Sequence, residues 1–187
     1  MDLTLPQLAE SLRTNLQLTP GESLYGLVDG AQDLALASEA KCLFGQQIRM
    51  LFEGDVAAAL ADVAPYLVPI DPDSGYLENW ACRWGQNVGV LLTTSAAQEQ
   101  LFRHLRDLFV VQDEAGQSYF FRFYDPRVLR LYLPTCTSLE RSLFFGPIGR
   151  FLLCGEEPGS VLLLEAEREK TTVATLFPKG REAMQHG

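Results

Sequence analysis

Residues 117–135, QSYFFRFYDPRVLRLYLPT, constrain this chain more than any other stretch, because they read as a strand running directly into a capped helix. In the strand, Tyr119, Phe121 and Phe123 fall on one face and Phe120, Arg122 and Tyr124 on the other, since side chains alternate with period 2. Both faces are therefore largely aromatic, which predicts a strand covered on both sides. Asp125 supplies an N-cap carboxylate and Pro126 the pre-set φ of the first helical position. Val128, Leu131 and Tyr132 form an i, i+3, i+4 apolar stripe, and Pro134 ends the helix.

Around this junction, helical and strand patterns alternate. Residues 4–17 place Leu5, Leu8, Leu12 and Leu16 on one helical face behind a Thr4–Gln7 capping box. Residues 24–28 predict a first strand ending at Asp29-Gly30, followed by a helix over 31–41. Residues 42–53 are ambiguous, with a strand-like end at 50–52. Residues 64–70 are extended and near a sheet edge, because Pro65 and Pro69 cannot donate to a central ladder. Residues 76–84 predict a helix with Leu77, Trp80, Ala81 and Trp84 on one face, where the tryptophans serve either core packing or a partner platform. A buried-type strand over 88–92 follows, and a Ser95–Gln98 capping box opens a helix over 96–107. That helix turns Leu101, Leu105 and Leu108 inward and leaves His104 at the surface. Residues 109–112 pair back with the aromatic strand through a turn at 113–116. A further helix spans 138–145, and strands at 151–153 and 161–164 close the pattern.

This alternation predicts an α/β fold: a mixed or mainly parallel sheet flanked by helices, with a terminal β-hairpin. Residues 1–165 form the single domain, and residues 166–187 read as a charged, flexible tail or the remnant of a further lobe.

Composition narrows the functional classes. No apolar run reaches the ~18 residues of a membrane span, and the N-terminus lacks a signal-peptide pattern, which predicts a cytoplasmic protein without stable membrane association. The net charge of −9 is lopsided: residues 1–79 hold twelve acids against three bases, and residues 80–164 hold eight of each. An acidic chain is a poor nucleic-acid partner, since phosphate backbones demand a basic face. Cys42, Cys82, Cys136 and Cys154 form no CxxC pair, which predicts buried free thiols and neither a disulfide framework nor a zinc site.

The signatures of chemistry are sparse. The sequence contains no phosphate-binding glycine loop, no GxSxG elbow, no HExxH and only two histidines, so no cofactor and no metal is expected. Asp29 and Asp125 each end a strand, and those ends could meet at one edge of a sheet. They read either as turn and cap formers or as paired carboxylates in a strand-edge crevice of an enzyme or small-molecule-binding domain. Arg122, Arg127 and Arg130 crowd the same junction beside Tyr124. They serve either a partner's carboxylates or internal acids, with Asp29 a candidate for Arg122 or Arg127.

The runs YGLVDGA (25–31), VGVLLTTS with LFRHLRDLF (101–109), FRFYDPRVL (121–129) and FFGPIGRFL (144–152) resemble, in order, the domain-of-unknown-function-4123 family. The similarity covers about residues 22–155, and the FRFYDPR block is its most specific part. Members of that family are adaptors or chaperones of bacterial type VI secretion that join a toxic effector to the VgrG spike, and they often carry a helical lobe after this domain. The resemblance implies a non-enzymatic cytoplasmic adaptor for a secreted effector protein, with the C-terminal region of the VgrG spike as a further partner. The positions matching the family pattern are Asp29, Arg122, Tyr124, Asp125, Pro126 and Arg127.

Overall fold

The computed structural model describes residues 5–16, 18–52, 57, 59–112, 115–157, 159–166 and 172–175. Its main sheet has seven strands: β1 (Ser23–Asp29), β2 (Arg49–Met50), β3 (Pro65–Ile70), β4 (Gly89–Thr94), β7 (Ile148–Cys154), β8 (Ser160–Glu165) and β9 (Thr172–Thr175). They lie in the order β2-β3-β1-β4-β7-β8-β9. A separate two-stranded ribbon pairs β5 (Val110–Gln112) with β6 (Ser118–Phe120). The described helices are α1 (Leu5–Leu16), α2 (Leu34–Phe44), α3 (Gly75–Cys82), α4 (Gln98–Asp107), α5 (Pro126–Tyr132) and α6 (Ser138–Phe145).

Every described pair of neighbouring strands runs antiparallel, so the expected mainly parallel sheet is not what forms. The reason lies in where β1 sits. β3 and β4 are joined through α3 and run in the same direction, as strand–helix–strand alternation suggests, but β1 lies between them and pairs antiparallel with both. A strand inserted from earlier in the chain leaves no trace in the local pattern. The hairpin of β7 and β8 forms as expected, yet it is not terminal, because β9 adds to β8 within the stretch expected to be a tail.

The sheet is covered on both faces. On one side α1, α2 and α3 contribute Leu12, Leu16, Leu36, Ala40, Leu77 and Trp80, which meet Leu24, Val28 and Val68 of the strands. On the other, α4, α5 and α6 bring Leu101, Phe102, Leu129, Phe144 and Phe145 onto Leu27, Val90, Leu92 and Phe151. Alternate residues of β1 belong to different cores, as period 2 requires, and residues 24–29 are all buried. The pairing of β3 with only a two-residue outer neighbour agrees with its two prolines.

Several local expectations are corrected. The Thr4–Gln7 capping box falls outside the described residues. α4 begins at Gln98 with Ala97 as its N-cap and no side-chain cap bond, because the Thr94 hydroxyl takes the Ala96 N–H and delays the helix. His104 is half-buried and not a surface residue: its Nε2–H donates to the Phe144 carbonyl at 2.9 Å, tying α4 to the end of α6. All four cysteines are free thiols, but only Cys154 is buried, while Cys42 is exposed. Trp80 is a core residue at 1% exposure, and Trp84 donates its indole N–H to the Ser160 carbonyl at 2.9 Å.

Trp80 also dictates one glycine. A Cβ on Gly26, in the middle of β1, would lie 2.5 Å from Cζ3 and 2.9 Å from Cη2 of the Trp80 ring, closer than atoms can approach. Gly26→Ala is therefore expected to destabilise the fold by about 1–3 kcal/mol, as overpacking of a full core does. Trp80→Phe in that background is expected to recover part of the loss, because the two sites are in contact. Urea unfolding midpoints of Gly26→Ala, Trp80→Phe, the double variant and the wild type check both statements.

Candidate functional site

The stretch that organises the sequence does not fold as one long strand. β6 is three residues long, and Tyr119 and Phe120 are 54% and 61% exposed, so the expectation of a strand covered on both sides fails. The Phe121 N–H still donates to the Phe109 carbonyl at 2.9 Å, after which two tight turns follow. Phe123 N–H reaches the Phe121 carbonyl, and Asp125 N–H reaches the Arg122 carbonyl. These turns break the period of 2, so Phe123 and Tyr124 are both buried while Arg122 swings toward β1.

The helix start forms as its residues dictate. The Asp125 Oδ1 accepts the Arg127 N–H at 2.9 Å, and Pro126 occupies the first turn. The stripe is different from the one expected: Leu129 and Leu133 are the buried leucines, and Leu131 is 75% exposed. Phe121 packs edge-on against Tyr132 with ring centroids 4.7 Å apart, and Phe123 and Tyr132 both meet Phe144.

Two carboxylates converge at this junction, and both are occupied. Asp29, at the C-terminal end of β1, is 1% exposed. Its Oδ1 accepts the Ala31 N–H at 3.1 Å, and its Oδ2 accepts from Arg122 Nη2 at 2.6 Å. The main chain is equally crowded there, since a Cβ on Gly30 would lie 2.6 Å from the Ala64 carbonyl oxygen. Asp125 is 4% exposed, and the Arg127 guanidinium grips it with Nε 2.9 Å from Oδ1 and Nη2 2.7 Å from Oδ2. Tyr124 sits beside the clasp, its ring centroid 5.7 Å from the Arg122 guanidinium carbon. Burial, reinforced by the negative charge of Asp29, pushes the Tyr124 phenol above its ordinary value.

The structure thus brings Asp29, Arg122, Tyr124, Asp125 and Arg127 together and sets Arg130 apart. Arg130 Nη1 donates to the Cys154 carbonyl at 2.6 Å, fastening α5 to the end of β7. Of the three arginines, Arg122 and Arg127 keep side chains 47% and 51% exposed, so part of each guanidinium faces solvent. For either aspartate to act as base or nucleophile, it would have to give up a guanidinium and a backbone N–H together.

Sequence reading missed two features. Glu22 and Arg150 form an ion pair in which each side chain is 11% exposed, and the Thr93 hydroxyl donates to the same carboxylate at 3.2 Å. Partners so distant in the chain leave no local signal. The second feature is solvent-facing apolar surface: Val110, Val111, Tyr119 and Phe120 on the ribbon, Leu131 on α5, and Leu139 and Leu143 on α6. Leu139 and Leu143 could have been found, because their i, i+4 spacing lies away from the buried Arg141, Phe144 and Phe145.

Burial alone would raise the Asp125 carboxyl, but the hydrogen bonds from the Arg127 side chain and backbone outweigh it and hold the group below its ordinary value of 3.8. A carboxyl depressed by folding adds stability above its unfolded pKa and loses it as pH falls through the folded value. Asn at this position retains the cap, so Asp125→Asn reports the ion pair, worth about 1 kcal/mol or less because Arg127 is half exposed. The deficit of the variant in urea midpoint is expected to stay constant from about pH 7 to 5 and to shrink below about pH 4.

The family described as "Domain of unknown function (DUF4123)" matches residues 24–143, which include β1 from its second residue, the aromatic segment, the clasp and most of α6. No curated protein matches the chain, and no solved structure does.

Proposed function

The chain belongs to that family of domains, and from this membership we propose that it is a non-enzymatic adaptor which binds a type VI secretion effector in the cytoplasm and helps load it onto the VgrG spike. The observation that carries the reading is the division of labour around residues 117–135. The charged half of the segment is bound internally, whereas the ribbon beside it turns Val110, Val111, Tyr119 and Phe120 to solvent. Val110 and Phe120 share one face of the ribbon and Val111 and Tyr119 the other, and exposed apolar pairs of this kind mark surfaces that other proteins cover. Aromatic residues are the side chains that most often dominate such contacts.

Phe120 is suited to that role because it is anchored. Its ring lies 5.2 Å from that of Phe109 and 6.0 Å from that of Phe52, so an aromatic row runs from the core to the exposed ribbon. Arg122 and Arg127, two and seven residues further on, bind Asp29 and Asp125 through part of each guanidinium, and the solvent-facing remainder is available to acidic groups of a partner. The C-terminal region of the VgrG spike is the second partner under this reading. The competing idea, a crevice enzyme using Asp29 and Asp125, would need those carboxylates free, and both are held by arginine and backbone N–H groups.

Purification of the tagged chain from its host while type VI secretion is active, followed by mass spectrometry, is expected to recover a toxin-like protein, a spike component, or both. Val111→Asp with Phe120→Asp is expected to reduce that recovery at least about tenfold, with the variant still folding cooperatively but about 1–2 kcal/mol less stable through the lost Phe120 contacts with Phe109 and Phe52. Recovery of neither component from the wild type, or equal recovery from the variant, contradicts the proposal.

A further inference from the structure

The β5–β6 ribbon stands apart from the main sheet, and a lone two-stranded ribbon is an incomplete sheet, since independent stability takes three or more strands. Its register fixes where its main chain points. The Phe121 N–H bonds the Phe109 carbonyl, so the adjacent pair, Val110 with Phe120, is of the non-hydrogen-bonded kind. By the same alternation Val111 and Tyr119 form a hydrogen-bonded pair, and Gln112 and Ser118 a non-hydrogen-bonded one. Val110 and Gln112 therefore turn their N–H and C=O groups away from β6.

The two edges of the ribbon differ. On β6, the Ser118 carbonyl accepts the Gln117 side-chain amide at 3.4 Å, and the chain leaves the ribbon through the turn that joins Phe121 to Phe123. On β5, the outward N–H and C=O groups of Val110 and Gln112 have no hydrogen bond among the described residues, and all three residues of the strand are exposed. Proteins blunt such edges with lysine, proline or a bulge, and β5 has none of these. Its surroundings in the chain are acidic: residues 107–121 hold Asp107, Asp113 and Glu114 and no base.

We propose that the β5 edge is where a partner docks an extended segment of its own chain, adding a third strand to the ribbon through the outward groups of Val110 and Gln112. The inference rests on the reading that the ribbon meets a protein partner, and it names the mode: main-chain hydrogen bonds supply the attraction and side chains the selectivity. A partner helix could cover the exposed valines but would leave those main-chain groups unmet, because its own N–H and C=O groups are spent within it. Val110 and Val111 face opposite sides of the ribbon, so the incoming strand needs β-branched or aromatic residues at successive positions. The acids around this uncharged strand favour basic residues at the flanks of that segment. They also disfavour a second copy of this chain, since pairing β5 with β5 would bring the same acids of both copies together.

The test is titration of the isotope-labelled full chain with acetyl-lysyl-valyl-threonyl-valyl-tyrosyl-lysinamide, read by amide NMR shifts and hydrogen exchange. The Val110 and Gln112 N–H groups are expected to shift saturably, with a Kd of about 1 mM for so short an edge, and to exchange about fivefold more slowly when bound. The same peptide N-methylated at its four central residues keeps the side chains without the donors and is expected not to bind. Glutamyl ends in place of lysyl ones are expected to weaken binding about threefold at low salt. Gln112→Pro removes one outward N–H and leaves the ribbon's own bonds, so it is expected to weaken the peptide about fivefold or more, while Gln112→Ala changes its affinity less than about twofold. Amide shifts away from β5 are expected to match the wild type, which establishes that both variants are folded. No saturable shift at Val110 and Gln112 up to about 10 mM peptide, equal binding of the N-methylated peptide, tighter binding of the glutamyl one, or indifference to Gln112→Pro overturns the proposal. Concentration-dependent protection of these two N–H groups in the chain alone assigns the edge to a second copy and overturns it too. Any of these failures alongside recovery of an effector or spike component from the host strikes strand pairing alone, whereas peptide binding without such recovery strikes the adaptor reading alone.

Discussion

The structure depends on one constraint: β1 is buried along residues 24–29 and carries a carboxylate at its end. A buried aspartate is tolerated only when hydrogen bonds and an opposite charge replace the water it has lost. The Ala31 N–H supplies the first, and Arg122, 93 residues further on, supplies the second. That one pair ties the centre of the sheet to the turn that precedes α5. The chain must leave the β5–β6 ribbon and bend at residues 121–125 for Arg122 to arrive, and the bend carries Phe123 and Tyr124 into the second core.

Much of the fold was legible in the sequence wherever the determinants are local. Asp125-Pro126 starts α5 and the helix expected over 138–145 forms as α6, although its Thr137–Glu140 capping box, equally local, went unread. The β7–β8 hairpin and the ribbon were legible for the same reason. What was not legible is what long-range packing decides. The insertion of β1 between β3 and β4 turned a pattern that reads as parallel into an antiparallel sheet. The aromatic strand was misread because its rings are divided between solvent and core by two turns, and tertiary contacts with Asp29 and Phe144 select those turns.

The candidate site divides along the same line. Among the proposed contacts of Asp29, Arg122 was one of two arginines that the sequence could offer, and the geometry selects it. Arg127 instead closes on Asp125 two residues away, a pairing that needs no information from elsewhere in the chain. Arg130 was placed with them by helical spacing, yet its partner is a main-chain carbonyl at the end of β7, which no spacing rule could supply. With the acids occupied, the segment's solvent-facing chemistry is that of its aromatic and aliphatic residues, flanked by two half-open guanidinium groups. Such a surface is suited to recognising another protein.

The central claim is that the clasp builds the domain while the ribbon meets the partner. Site-specific photo-crosslinking in the host tests it most directly, with a benzophenone amino acid placed in turn at Phe120 on the ribbon and at Glu39 on the opposite helical layer. The account predicts crosslinks from position 120 to an effector or spike component and none from position 39. Crosslinks to those proteins from position 39 alone, with position 120 silent, would contradict it.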